Sequence, residues 1–242
     1  RVFLTGNCSV PQVIVGALVE RAMSLRDVEL CLLLTFGKAE YADPKLVGHL
    51  RINTLFISDN QRAAVHEGRG DFTPCFLSEV PLLFKNGHLP LDAALVHVSP
   101  PDEHGFCSFG VGIEVTKAAA ERAKTVIALV NKQMPRALGD AFIHVSRLTH
   151  VVEVDRPVLE LPMVGEIGEE AKAIGHNIAE LIEDGATLQM GIGEIPDAVL
   201  LFLKEKRDIG IHTEMFSDGL VDLFESGVVN GEAQRLLEAA RG

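Results

Sequence analysis

The stretch Asp184–Leu203, DGATLQMGIGEIPDAVLLFL, reads as a complete strand-to-helix turn. The apolar run Thr187–Met190 predicts a strand. Gly191 and Gly193 predict a turn, and Pro196 opens a helix that runs to Glu205. Glycine permits positive φ in such a turn, and proline suits the first turn of a helix. The same order of signals stands near the N-terminus, where FLTGNCSVPQVI runs from Phe3. Gly6 matches Gly191 and Pro11 matches Pro196; 191 − 6 and 196 − 11 both give 185. Val10 matches Ile195, and Ile14 matches Val199. Two related α/β units follow from this, the second only begun here, although any two strand-to-helix turns share residues of these kinds.

Outward from these turns, short apolar runs alternate with helical segments. Strands are predicted at Val2–Thr5, Val28–Thr35, Thr54–Ile57, Ala93–His97, Thr125–Val130, Thr187–Met190 and Ile209–Thr213. Helices are predicted at Pro11–Met23, Ile113–Ala123, Glu169–Glu183, Pro196–Glu205 and Ser217–Ser226. Buried β runs between amphipathic helices predict an α/β fold with largely parallel sheets and flanking helices. The stretch VDRPVLELPMVGEIG, Val154–Gly168, is rich in Pro and Gly and lacks helical period, so a boundary is expected between Arg156 and Gly168. The expected domains are residues 1–160 and 168–242.

The 242 residues are 47% hydrophobic, enough for a sizeable core, and mean hydropathy is +0.21. VELCLLLTF, Val28–Phe36, is a buried strand rather than a membrane span, and nothing at the N-terminus resembles a signal peptide. A net charge of −12 argues against nucleic-acid or anionic-membrane binding, which needs clustered Lys and Arg. It leaves room for a phosphate-bearing small ligand held by backbone N–H groups. Cys8, Cys31, Cys75 and Cys107 form no CxxC pair, so no metal is expected, and the thiols read as reduced and cytoplasmic. The chain starts at Arg1 inside a strand-like run and stops at Gly242 after a helical stretch, so a piece of a longer protein is expected.

Several segments invite chemistry. In IGIHTEMFSDGLVDLFESGV, Ile209–Val228, a strand ends in His212, Thr213 and Glu214. A helix follows from the N-cap pair Ser217 and Asp218 and stops before Gly227. Glu214 is thus placed at or just beyond the carboxyl end of a strand, where open α/β sheets bind ligands; a solvated loop glutamate is the plain alternative. The turn Gly191, Ile192, Gly193, Glu194, Ile195 lets a ligand approach the backbone and aims N–H groups at an anion. It lacks the third glycine of GxGxxG, which argues against nicotinamide. HVSPPDEHGFCSFG, His97–Gly110, carries Asp102, Glu103 and His104, but adjacent residues diverge, and the segment reads as a structural turn. Arg62 and Arg69 are either anion-holding groups or ordinary surface charge.

Taken together, FGKAEY, EGRGDFTP, SPPDEHGFCSFG, GDAFIHVS, LIEDGATLQMGIGEIPDAV and GIHTEMFSDGLVDL resemble the acetyl-CoA hydrolase/transferase family, the family I CoA-transferases, most closely the 4-hydroxybutyrate CoA-transferase group. The resemblance implies two similar α/β domains with an active site between them. It implies coenzyme A as a substrate, an acyl-CoA and a short-chain carboxylate as partners in the reaction, and a homo-oligomer. The family's catalytic glutamate lies in His-Ser-Glu-Met; here His212-Thr213-Glu214-Met215 matches, so the role passes to Glu214. The family's CoA-contacting glycine turn matches Gly191 to Ile195. Gln189 and Met190, just before the glycine turn, and His212, which opens the glutamate string, are candidate substrate contacts. The glycine-rich oxyanion loop would lie beyond Gly242, in a missing C-terminal half. The implied reaction is CoA transfer through a glutamyl-CoA thioester. The alternatives are acyl-CoA hydrolysis by the same carboxylate, or an inactive CoA-binding piece.

Overall fold

The computed structural model describes residues 1–161 and 165–232. Pro162 to Val164 of the expected boundary, and most of the helical stretch expected before Gly242, lie outside these residues. The chain divides into two compact units, Arg1–Leu161 and Pro162–Gly242.

The first unit is built on a seven-stranded sheet. Its strands are β1 (Val2–Leu4), β2 (Val28–Leu32), β3 (Leu50–Thr54), β4 (Gly70–Phe72), β5 (Ala93–Val98), β7 (Thr125–Asn131) and β9 (His150–Val154). β6 (Phe106–Ser108) and β8 (Phe142–His144) form a separate antiparallel pair. The order across the large sheet is β4-β3-β2-β1-β5-β7-β9, and every pairing is parallel. The chain builds outward from β1 to β4, then restarts on the other side of β1 with β5. β1 and β5 therefore bracket the topological switch point, where the carboxyl ends of strands open a crevice.

Alternate residues of the central strands feed two cores. Phe3, Cys31, Ala94, Val96 and Ala128 face one layer, with Val80 and Phe84 of α3 (Val80–Lys85) and Ala119 of α4 (Thr116–Arg122). Leu4, Leu30, Leu32, Leu95 and Leu129 face the other, with Ile14 and Val15 of α1 (Gln12–Arg21) and Ala64 of α2 (Asp59–His66). A parallel sheet covered on both sides needs apolar residues at consecutive positions, which is why these strands read as unbroken hydrophobic runs.

The strand expected at Thr54–Ile57 lies earlier. β3 pairs with β2 from Val28↔Leu50 to Leu32↔Thr54, and Phe56 is already exposed where the chain turns away. Arg51 and Asn53 hide the true strand: Arg51 pairs with Asp71 of β4, and the Asn53 amide donates to Glu29 Oε1 at 2.8 Å. The helices α2 and α3 and the strands β4, β6, β8 and β9 were not among the elements expected from sequence.

In the second unit, β10 (Thr187–Leu188) and β11 (Gly210–Ile211) pair in parallel. Around them stand α5 (Glu169–Leu181), α6 (Glu194–Leu201) and α7 (Gly219–Glu225). Ala179, Met190, Val199, Leu200, Leu203, Ile209, Leu220 and Leu223 form the core. α5 and α6 approach closely because Gly175 leaves room: a Cβ there would stand 2.7 Å from the Ala198 carbonyl carbon. α6 opens at Glu194, two residues before Pro196, whereas α1 opens one residue after Pro11. The two turns thus share strand, glycine and helix but start their helices three positions apart in the matched numbering.

Candidate functional site

Because β10 and β11 are parallel, the loops after Leu188 and after Ile211 leave from the same edge of the pair. The His212 N–H still donates to the Leu188 carbonyl, at 2.9 Å. Beyond it the Thr213 hydroxyl connects the loops. Oγ1 accepts the Met190 N–H at 3.0 Å, and it lies 2.9 Å from the Met190 carbonyl oxygen and 3.0 Å from that of Met215. Glu214 follows at a bend, three residues past the strand end. Its side chain is exposed, and among the described residues no ion pair or hydrogen bond occupies its carboxylate.

The glycine turn lies across from this bend. Gly191, Ile192 and Ile195 are exposed. Gly193 takes φ 116° and ψ −177°, a conformation that L side chains rarely adopt, and so swings the chain into α6. The first N–H groups of α6 have no acceptor within the helix. Glu194 and Asp197 sit in the same first turn, however, and their charges oppose an anion there. The Glu194 carboxylate accepts the Gly168 N–H at 2.7 Å, so its side chain serves the start of α5. Gln189 and His212 are exposed. Met190 is only 7% exposed and packs in the core, so on this loop it offers its backbone and not its side chain.

The cap expected from Ser217 and Asp218 is absent. Asp218 occupies the N-cap of α7 in helical conformation and makes no side-chain capping bond, and the Ser217 hydroxyl is buried with no partner among the described residues. The opposite end is as expected: Gly227 follows the helix at φ 80°, and its N–H donates to Phe224 O at 3.0 Å. A groove of about 520 Å³ lined by residues including His176, Phe202, Lys204 and Lys206 lies at the carboxyl ends of α5 and α6; Glu214 is not among its lining.

In the first unit, Asp102 organises a turn, its Oδ1 accepting the N–H of His104 at 3.0 Å and of Phe106 at 2.8 Å, while its other oxygen pairs with Arg136. Arg62 pairs with Asp59, and Arg69 with Glu67 and the Ala42 carbonyl, so both guanidinium groups have local partners. Among the described residues no group of three or more His, Cys, Asp or Glu is placed to hold a metal ion, and no helix is long and apolar enough to cross a membrane.

Sequence reasoning passed over several buried polar side chains of the first unit, His97 near the end of β5 among them. Asn7, at φ 50°, Ser9, His97 and Thr116 are buried, and Asn7 Oδ1, Ser9 Oγ and Thr116 Oγ1 have no hydrogen-bond partner among the described residues. Burial pushes the His97 imidazole down to about 4, with the Ser9 backbone pulling weakly the other way. The one available signal was the run Thr5, Asn7 and Ser9 between the apolar strand and the helix that follows.

The chain is 53% identical over 226 residues to the 4-hydroxybutyrate coenzyme A transferase of Clostridium kluyveri, covering 93% of this chain and 52% of that one. It is 46% identical to the succinyl-CoA:acetate/propanoyl-CoA:succinate CoA transferase of Fasciola hepatica, covering 97% and 49%. The crystal structure of a 4-hydroxybutyrate CoA-transferase from Porphyromonas gingivalis superposes with a TM-score of 0.80 at 40% identity, covering 96% of this chain and 54% of that one. The chain therefore spans about half the length of the curated relatives it matches. Residues 1–162 match the model of the acetyl-CoA hydrolase/transferase N-terminal domain. With that match extending over the whole parallel-sheet unit, the chain belongs to the acetyl-CoA hydrolase/transferase family.

Proposed function

We propose that the whole protein transfers coenzyme A between a short-chain acyl-CoA, such as acetyl- or butyryl-CoA, and a small carboxylic acid such as 4-hydroxybutyrate or acetate, with Glu214 as nucleophile. The observation that carries this reading is the exposed Glu214 carboxylate, without a partner among the described residues, at the carboxyl edge of a parallel strand pair and next to Thr213, which is bonded to Met190 just before the glycine turn. The names of the relatives support the reaction class.

A carboxylate suits the chemistry, since free Glu has a pKa of about 4.3 and is ionised at neutral pH. Its oxygen attacks the thioester carbonyl, and collapse of the tetrahedral adduct releases CoA thiolate and leaves a mixed anhydride. The thiolate then attacks the glutamyl carbonyl and expels the acyl group as its carboxylate, leaving glutamyl-CoA. An incoming carboxylate reverses both steps and departs as the new acyl-CoA. The thioester energy is kept throughout. Each backbone N–H aimed at a tetrahedral oxyanion contributes about 3 kcal/mol. Glu194 and Asp197 favour an uncharged part of the acyl-CoA, rather than its phosphates, next to the Gly191–Ile195 backbone.

The unit after Leu161 is read as the beginning of a second α/β domain, completed by chain corresponding to the second half of the relatives. A homo-oligomer and a cytoplasmic setting complete the proposal. The test is initial-rate kinetics of the full-length protein. Parallel double-reciprocal lines and loss of transfer in Glu214→Ala are expected; intersecting lines, or transfer that survives Glu214→Ala, contradict the assignment.

A further inference from the structure

The hydrogen bonds between the last two strands follow a two-residue step. Gly210 N–H donates to Ala186 O and His212 N–H to Leu188 O, each at 2.9 Å. The next bond of a regular parallel ladder would run from Glu214 N–H to Met190 O. That acceptor is met instead by the Thr213 hydroxyl at 2.9 Å, which also accepts the Met190 N–H at 3.0 Å. The same oxygen lies 3.0 Å from Met215 O, so its single proton is shared between carbonyls on the facing strand and beyond the bend. A side chain has replaced one rung of the ladder, and the backbone of Glu214 is free to turn out of the sheet.

We infer that Thr213 is the positioning residue for Glu214, its hydroxyl fixing the point at which the carboxylate leaves the sheet and its distance from the glycine turn. The inference rests on the reading of Glu214 as nucleophile. Three bonds converge on one β-branched side chain, whose χ1 is stiff in its own right. Without the hydroxyl, Met190 loses a partner on both its N–H and its C=O, and the bend loses its tie at Met215. A displacement of about 1 Å in a reacting group costs on the order of 10²-fold in rate.

The experiment compares full-length wild type, Thr213→Val and Thr213→Ser for the single-turnover rate of CoA attachment to the enzyme, with acyl-CoA KM and amide exchange at residues 188–191. The valine variant keeps the shape and loses the hydroxyl; the serine variant keeps the hydroxyl and loses the methyl. Thr213→Val is expected to form the adduct on the order of 10²-fold more slowly, with KM changed by less than about threefold and faster exchange at Met190. Thr213→Ser is expected to stay within about threefold of wild type. Adduct formation at the wild-type rate in Thr213→Val overturns the inference. Should Thr213→Val fail to fold, Thr213→Ser decides alone: a loss as large as 10²-fold there would assign the role to the methyl and overturn it equally. Adduct that persists in Glu214→Ala would instead remove the nucleophile assignment beneath it.

Discussion

His97 is buried at the carboxyl end of β5, and its folded-state pKa lies near 4 against an ordinary 6.5. Between those values the unfolded chain binds a proton that the folded chain refuses. Stability is complete above pH 6.5 and falls as the pH drops toward 4, by about 1.4 kcal/mol per pH unit for one such group. His97→Leu removes this titration. Urea unfolding at pH 7 and pH 5 is expected to show a smaller acid loss in the variant; an unchanged loss would place the acid sensitivity elsewhere. Gly193 gives a second residue-scale expectation. A Cβ there meets no atom within 4 Å, so the cost of Gly193→Ala is the backbone conformation itself, about 1–3 kcal/mol. Lower thermal stability together with a raised acyl-CoA KM is expected; a variant with both unchanged would show that this turn does not shape the site.

Two helical glycines separate packing from propensity at the scale of elements. Gly16 in α1 has nothing within 4 Å of an added Cβ, whereas at Gly175 in α5 the Cβ would stand 2.7 Å from Ala198 C and 2.9 Å from its O. Gly16→Ala is expected to stabilise by about 0.5–1 kcal/mol through helix propensity alone. Gly175→Ala carries the same propensity gain, yet overpacking against α6 is expected to leave it destabilised by about 1–3 kcal/mol. Denaturant midpoints of the two variants check the contrast, and stabilisation by both would mean that α5 shifts freely on α6. The same level shows what a linear reading captures. Strands β2, β5 and β7 were legible because a sheet covered on both faces demands continuous apolar runs. β3 was not, because Arg51 and Asn53 are polar and their partners come from β4 and β2. The α7 cap was misread because Ser217 turns inward. Glu214 was legible as a strand-end residue, since an apolar run precedes it and a helix follows. The tie from Thr213 to Met190 was not, because it depends on the register of β10 against β11, 23 residues apart.

For the molecule as a whole, a parallel-sheet unit with the family's N-terminal signature precedes a smaller unit that carries the candidate nucleophile. The α/β class and the family were readable from apolar runs and motif strings spread along the chain. Two features needed three dimensions: the buried polar side chains of the first unit, and the lack of a partner for the Glu214 carboxylate among the described residues of the second. The account stands on that carboxylate forming a covalent bond to coenzyme A. The direct measurement is peptide mapping by mass spectrometry of the full-length protein after incubation with acyl-CoA and no acceptor acid. A CoA-sized mass increase on the peptide containing Glu214, absent in Glu214→Ala, is the expected result. An enzyme that transfers CoA with that peptide unmodified, or with the adduct on another residue, would contradict it.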